Sequence, residues 1–231
     1  MKYLSYIFIF IFILISTEKL WSEGDYIFYP ESKHKFDFTQ NIGIGIVILP
    51  RSVFEDAFSQ IPILNYNARL DLPFNLILSG KFSTILFSNN LSTGILWNYK
   101  YHNFNLGAFT ELGLWYGFYN SEGIDLGSRG WTFFPGVVVA YNFKDVYLTI
   151  KFNLMYQSQV TVAGENRIGK TFNGYTGYSV SIISEQNFLD NSVFSLELKL
   201  NYTTFHNITW LSYSTFDNLI LYPELTFGIK L

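Results

Sequence analysis

The amino-acid sequence predicts an all-β chain, an up-and-down antiparallel barrel of about ten strands preceded by a signal peptide. Three observations support this fold class. Apolar and polar residues alternate with a period of two, the alternating stretches are long, and short and long connections alternate between them. Only 14% of the 231 residues are charged and 20% are aromatic, whereas soluble domains contain roughly 25% charged residues. This composition argues against an ordinary soluble enzyme, and the aromatic content excludes a disordered chain.

The first residues are predicted to form a signal peptide over 1–22. Lys2 supplies a positive start, and an unbroken apolar run covers Ile7 to Ile15 before a polar exit. A spanning helix needs about 20 apolar residues, so this run is typical of an export signal. An uncleaved anchor is the alternative, because the cleavage sites after Ser16 and Ser22 are imperfect. We assign 23–35 to a periplasmic N-terminal segment and 36–231 to the barrel domain.

Residues 146–157 show the strand pattern most clearly. The even-numbered residues from Val146 to Tyr156 are apolar, while the odd-numbered ones include Thr149, Lys151 and Asn153. Successive side chains of a strand point to opposite faces, so this stretch predicts a strand between an apolar and a polar environment.

The first four strands are predicted upstream by the same alternation. Isoleucines form the apolar face of 36–49, and leucines form those of 63–72 and 75–87. In 91–101 the apolar face ends in Trp97, Tyr99 and Tyr101. Each opposite face contains polar or small residues, as a half-buried strand requires.

Five more strands complete the prediction of ten. Aromatic and aliphatic residues alternate with small or polar ones in 104–119 and 131–143. The pattern is weakest in 174–184, is clear again in 193–204, and continues to the last residue in 219–231. Pro135 and Pro223 fall inside two of these strands, where each removes a ladder donor and therefore predicts a bulge or a local break.

The lengths and connections of the strands predict that the barrel crosses a membrane. Strands of soluble proteins cluster near 5–6 residues, whereas a tilted barrel strand needs about 9–11 to cross a bilayer. Tight turns are predicted at Pro73-Phe74, His102-Asn103 and Lys144-Asp145, with short and longer exceptions at 88–90 and 185–192. The long connections are predicted at 50–62, 120–130, 158–173 and 205–218.

Aromatic residues are predicted to form a belt at each end of the barrel, as amphipathic rings do at membrane interfaces. The short-turn belt contains Tyr99, Tyr101, Phe104, Tyr141 and Phe143. The long-loop belt contains Tyr116, Phe118, Trp131, Phe133, Tyr156 and Tyr202.

Along nearly its whole mature length the chain therefore resembles small bacterial outer-membrane β-barrel proteins. Its closing strand is similar to the assembly signal of that family, with Leu225, Phe227 and Ile229 alternating up to the end. The family usually ends in Phe or Trp, whereas this chain ends in Leu231. The resemblance implies an outer-membrane location, with the membrane lipid and the outer-membrane assembly machinery as partners.

Several patterns that suggest other chemistry are weak in this chain. Residues 164–171 match the phosphate-binding pattern G-x-x-x-x-G-K-[ST], but no helix is predicted to follow, so we expect no nucleotide site. The net charge of −3 gives no basic surface for nucleic acid. The chain has no cysteine, and its three histidines lack metal-ligand spacing, so no cofactor is expected. His206 with Ser212, Ser214 and Asp217 leaves a surface hydrolase as an alternative.

Charged residues on the inward faces predict a network inside the barrel. Opposite charges in a confined lumen should pair, because an unpaired buried charge is costly. We expect this network to fill the lumen, with a selective pore as the alternative. Its predicted members are Arg69, Asp71, Lys81, Lys100, Glu111, Lys151, Lys199 and Glu224.

Two of the long loops contain several apolar residues. Exposed clusters of this kind often mark binding surfaces, although the two loops could instead bury these residues against each other. The residues concerned are Phe54, Phe58, Trp210, Leu211, Tyr213 and Phe216. The sequence thus favours a non-enzymatic outer-membrane barrel with surface-exposed loops in a structural or binding role. A narrow channel for small or apolar solutes and a surface hydrolase are the alternatives.

Overall fold

The structure is a computed structural model that describes residues 26–31, 35–50, 60–85, 87–121, 124–144, 146–163, 173–188, 192–204 and 218–231. Its ten strands are β1 (Phe38–Ile48), β2 (Gln60–Leu72), β3 (Leu76–Thr84), β4 (Ser88–Tyr101), β5 (Phe104–Ser121), β6 (Ile124–Asn142), β7 (Val146–Ala163), β8 (Asn173–Phe188), β9 (Ser192–Thr203) and β10 (Ile220–Lys230). Each strand pairs antiparallel with its sequence neighbours, and β1 pairs with β10 to close the barrel. The predicted up-and-down barrel is confirmed. In the part of the chain described, no helix has the length and apolar character needed to span a membrane.

The alternation in the sequence separates the inside of the barrel from the outside. In β2, for example, Leu64 is 52% exposed on the outer face, while Asn65, Asn67 and Arg69 are buried on the inner face. The outer surface is consequently apolar over most strands. Exposed outer residues include Ile42, Ile44, Ile46, Leu91, Ile95, Leu106, Leu112, Val137, Val139, Ile150, Phe152, Ile182, Leu198, Phe227 and Ile229. An apolar exterior around a largely polar interior is the pattern of a barrel that faces lipid.

Aromatic side chains are exposed at both ends of this apolar surface. Tyr99, Tyr101 and Phe104 lie at the end with the short turns. Trp131 and Phe133, together with Tyr116, Phe118, Tyr156 and Tyr202, lie towards the other end. This placement suits the two interfaces of a bilayer.

Five connections differ from the prediction. Those expected at 50–62 and 185–192 are shorter, because β2 already begins at Gln60 and β8 continues to Phe188. The long loop expected at 120–130 is wrong, because β5 continues to Ser121 and β6 starts at Ile124, leaving only 122–123 between them. The loop expected at 158–173 is shortened, because β7 continues to Ala163. Glycine, serine and aspartate in these stretches resemble turn signals, but pairing with an adjacent strand overrides that local preference. The joint expected at 88–90 is also shifted, because β4 already begins at Ser88.

Three prolines lie inside strands. Pro135 and Pro223, for which a bulge or a break was expected, lie where one ladder is interrupted or ends, and Pro62 pairs with Ile46 but precedes the first pair between β2 and β3. Pro135 is opposite Thr110 of β5, but the pairing with β7 is interrupted between Phe133 and Gly136. Pro223 lies just beyond Glu224, which forms the last pair of the β1–β10 ladder. Each proline therefore sits where no partner requires its missing N–H.

A bulge at the β7–β8 pair has a clear steric requirement. The register shifts by one residue between Met155 and Tyr156, opposite Thr176. Gly177 beside it has φ +151°, and a Cβ there would lie 2.1 Å from the Tyr202 carbonyl oxygen. Only glycine fits this conformation and this close approach.

The interior of the barrel also contains apolar clusters among its polar residues. One cluster joins Val47, Leu49, Ile63, Ile85 and Tyr222 towards the long-loop end. Another joins Ile77, Leu96, Phe109 and Val138. Apolar and polar groups of side chains thus fill the interior together, and the candidate site lies among the polar ones.

Candidate functional site

Six charged residues line the middle of the lumen, which we call the charge layer. Three are cationic and three are anionic, so the layer is neutral: Lys81, Glu111, Lys151, Glu197, Lys199 and Glu224. They lie on β3, β5, β7, β9 and β10 and point inward, where they line the two cavities of the lumen.

The contacts within the charge layer are loose. The Lys199 ammonium lies 4.0 Å from the Glu224 carboxylate. Asn201 donates a 2.7 Å hydrogen bond to the other oxygen of that carboxylate. Lys151 lies above two aromatic rings, with its Nζ 5.5 Å from the centre of Phe28 and 5.9 Å from that of Phe109. Cation–π attraction and distant opposite charges therefore compensate these ions as much as direct pairing does.

Two small cavities adjoin the charge layer. The one nearer the long loops measures about 90 Å³ and the one nearer the short turns about 100 Å³. Both are lined by Lys81, Ser92, Glu111, Asn153 and Lys199, so these side chains lie between them. A water molecule requires about 10–15 Å³ of such space, so each cavity can hold several waters beside the charges.

Residues 26–31 close the short-turn end of the lumen, and we call them the floor segment. Its anchor is Glu185 of β8, which is fully buried. The carboxylate of Glu185 accepts hydrogen bonds from the backbone N–H groups of Ile27, Phe28 and Tyr29 at 2.8 to 3.2 Å. Three consecutive amides directed at one anion form a strong charge-assisted contact.

Arg69 of β2 holds the same segment through its carbonyl groups. The guanidinium donates to the carbonyl oxygen of Tyr26 at 2.9 Å, to that of Tyr29, and to that of Glu31 at 2.5 Å. It also forms a two-pronged ion pair with Asp71, at 2.7 and 3.2 Å. Every polar edge of this buried cation thus has a partner, which offsets the cost of burying it.

The two tyrosines of the floor segment, Tyr26 and Tyr29, pack their rings against the barrel wall and form hydrogen bonds with it through their hydroxyl groups. The rings of Tyr26 and Tyr147 have centres 3.8 Å apart, and the Tyr29 ring meets Tyr147 edge-on at 4.7 Å. Asn105 donates a 2.7 Å hydrogen bond to the Tyr29 hydroxyl. Burial, with smaller effects from Tyr147 and Glu185, raises the pKa of Tyr26 above its usual value. Its hydroxyl therefore stays protonated and donates to Asn187 at 3.1 Å.

The structure divides the predicted charge network into two groups. Lys81, Glu111, Lys151, Lys199 and Glu224 belong to the charge layer, as their height in the strands suggests. Arg69, Asp71 and Lys100 lie nearer the short-turn end, as their positions in the sequence predict, and Lys100 forms an ion pair with Glu31. Together with Glu185 and the floor segment they form what we call the floor.

Two acidic residues of the lumen were missed by the sequence analysis. Glu197 is two residues before Lys199 and therefore lies on the same inward face of the strand. The sequence analysis could have included it in the charge network on that ground. Glu185 was placed in a loop because the predicted strand 174–184 ended four residues too early, whereas β8 continues to Phe188. Extending that strand by its own period puts Glu185 on the face of Ser179, Ser181 and Ile183, which are buried with it.

Other predicted sites fall outside the residues that the structure describes. These are the loop residues Phe54, Phe58, Trp210, Leu211, Tyr213 and Phe216, the phosphate-pattern stretch at 164–171, and His206 with Ser212, Ser214 and Asp217. Within the described ranges, no group of three or more acidic or histidine residues could hold a metal ion.

No family model and no curated protein matches the sequence. Among solved structures, the Neisserial surface protein A is 11% identical, with a TM-score of 0.36 over 84% of this chain and 96% of that one. The translocator domain of the autotransporter NalP from Neisseria meningitidis is 10% identical, with a TM-score of 0.41 over 84% and 86%. CdiB from Acinetobacter baumannii is 14% identical, with a TM-score of 0.34 over 71% of this chain and only 31% of CdiB. By its own closed ladder, apolar exterior and polar lumen, the chain is a β-barrel of the bacterial outer-membrane type.

Proposed function

We propose that this protein is a closed, non-enzymatic barrel of the bacterial outer membrane that acts through its surface loops, in a structural or partner-binding role. The filling of the lumen is the observation that supports this proposal. The floor segment occupies one end, the charge layer crosses the middle, and the cavities beside the layer measure only about 90 and 100 Å³. Such a lumen offers waters a place to bind but offers a solute no wide path.

The position of the floor segment favours the opposite end of the barrel for the proposed binding role. A barrel that is closed at the short-turn end leaves its long connections as the surface available to partners. In known outer-membrane barrels these longer loops are extracellular. In the sequence, Phe58 belongs to the connection between β1 and β2, and Trp210 to the connection between β9 and β10. We assign the partner-binding role to the patch of Phe54, Phe58, Trp210, Leu211, Tyr213 and Phe216.

The closing strand supports assembly into the outer membrane. Phe227 and Ile229 of β10 are about half exposed on the outer face, next to β1 where the barrel closes. This is the place where assembly machinery of the outer membrane would meet the strand, so we propose that machinery and the membrane lipid as partners.

A narrow channel is the second candidate, because the two cavities are lined by polar and charged side chains and adjoin one another. A current measurement separates the two functions. We expect the purified full chain, inserted in a planar bilayer, to give less than roughly a tenth of the conductance of a water-filled barrel of similar strand number. The heat-unfolded protein in the same detergent is the control for leakage. A large, steady conductance in the full chain would contradict the closed barrel and favour the channel.

A further inference from the structure

We propose that the short-turn mouth of the barrel is a peptide-binding site that the floor segment occupies in cis. Its ligand class is a short peptide with two tyrosines three residues apart, and the bound segment is a plug that can leave. This inference rests on the proposed function, in which the floor segment is one of the features that keep the barrel closed.

The barrel recognises the main chain of the segment with two buried side chains of opposite charge. Glu185 accepts from three successive N–H groups, and Arg69 donates to three carbonyl oxygens. These contacts require an available backbone, not particular side chains. Charge-assisted hydrogen bonds are also roughly twice as strong as neutral ones. The pair therefore provides affinity for a peptide of this shape.

The wall around the mouth adds selectivity for tyrosine. Tyr147 stacks against Tyr26 and meets the edge of Tyr29, and Asn105 donates to the Tyr29 hydroxyl. If phenylalanine replaced Tyr29, the buried Asn105 amide would lose the acceptor of its hydrogen bond. Phenylalanine at the second position should therefore bind less tightly than tyrosine. The site thus distinguishes Tyr-x-x-Tyr from other aromatic pairs.

The segment is attached to the barrel as a ligand would be. The ladder closes from β1 to β10 without it, and none of its residues belongs to a strand. Its contacts with the wall come from side chains of β2, β4, β5, β7 and β8. We therefore expect the barrel to form with the mouth empty.

Departure of the segment would open the lower cavity. Ile27 and Phe28 line this cavity from below, opposite Lys81 and Lys199 of the charge layer. The charge layer would still separate it from the upper cavity. The expected change is therefore access to the lower lumen from the short-turn side, without a through-going pore.

A single introduced thiol can measure this access, because the chain has no cysteine. Ser79 lines the lower cavity, so Ser79→Cys places a reporter between the floor and the charge layer. We expect a small charged thiol reagent to modify it slowly in the full chain. Replacing residues 26–31 by a Gly/Ser stretch of equal length should raise the rate roughly tenfold or more, since modification follows the open population.

A peptide added in trans tests recognition directly. The peptide Tyr-Ile-Phe-Tyr-Pro-Glu, which has the sequence of residues 26–31, should restore slow modification in the replaced variant. The matched control is the same peptide N-methylated at the positions of Ile27 and Tyr29. It keeps every side chain but loses two of the N–H groups that donate to Glu185, so it should not protect.

The outcomes separate this inference from the proposed function. Slow modification in the replaced variant, or equal protection by both peptides, would overturn the peptide site while leaving a non-conducting barrel intact. Rapid modification of the full chain would overturn the plug, and only a large conductance as well would overturn the closed barrel. Folding of each variant is checked by its circular dichroism.

If the replaced variant does not fold, Glu185→Gln in the full chain gives the same test. It should speed modification several-fold, because it removes the charge that holds three amides. Glu197→Gln is its control, since Glu197 lines the same cavity within the charge layer. Equal rates in these two variants would refute the role of Glu185.

Discussion

The floor and the charge layer both place ions inside the barrel, but they compensate those ions differently. At the floor, Arg69 is 4% exposed and directly bonded to Asp71 and to three carbonyl groups. In the charge layer, Lys199 lies 4.0 Å from Glu224 and its side chain is 22% exposed beside the cavities. The floor is a fixed set of hydrogen bonds, whereas the layer is a set of opposite charges with space for water.

This difference indicates that the two regions have different tolerance for change. Removing one member of a buried, fully hydrogen-bonded group leaves the other members without partners, and this lowers the free energy of unfolding strongly. Removing one member of a hydrated group leaves neighbours that water can still solvate. The floor should therefore be specific and stable, and the layer adaptable.

The largest expected effect comes from Arg69→Met. This change removes the cation from Asp71 and from three carbonyl groups, and it should lower the free energy of unfolding by about 3–5 kcal/mol. Lys199→Met removes the same charge from the charge layer and should cost only about 1 kcal/mol. Urea unfolding in lipid vesicles, followed by tryptophan fluorescence, measures both. Equal losses would show that the floor and the layer do not differ in this way.

A charge added at mid-height tests whether the layer is hydrated. Asn153 lines both cavities, so Asn153→Arg should be tolerated because the new cation meets water and acidic neighbours. Ile150 is 42% exposed on the outer face of the same strand. Ile150→Arg should cost about 2–4 kcal/mol, as a cation does on the lipid face near the midplane. The yield of folded protein in vesicles compares the two, and similar losses would contradict the assignment of faces.

The barrel itself was predictable because its pattern is local and repeated. In each strand the apolar and polar residues alternate with a period of two, as Leu64 and Asn65 do in β2, and this alternation identifies the two faces. One misjudged residue does not change the prediction of the strand. The strand ends were less predictable. Residues 124–130 contain glycine and aspartate and resemble a loop, but they extend β6 because β5 and β7 pair with them.

The floor was not predictable from the sequence for a different reason. Glu185 and Tyr29 are 156 residues apart in the chain, and nothing in either neighbourhood marks the other. Parity gives the face of a residue, and its position in the strand gives its height. Neither shows that a segment before β1 folds back into the mouth. The members of the charge layer, by contrast, follow from parity and height alone.

The smallest expected effect lies at the rim of the floor, where Lys100 pairs with Glu31. The Lys100 side chain is 55% exposed, so water and salt screen this pair much more than the contacts of Arg69. Lys100→Ala should change the free energy of unfolding by about 0.5 kcal/mol or less, as exposed ion pairs generally do. Urea unfolding at low and at high salt checks this, and the small effect should disappear at high salt. Because Glu31 keeps its carbonyl contact with Arg69, the floor segment should stay bound in this variant. A loss as large as that of Arg69→Met would mean that the rim, and not the buried pair of Arg69 and Glu185, holds the segment in place.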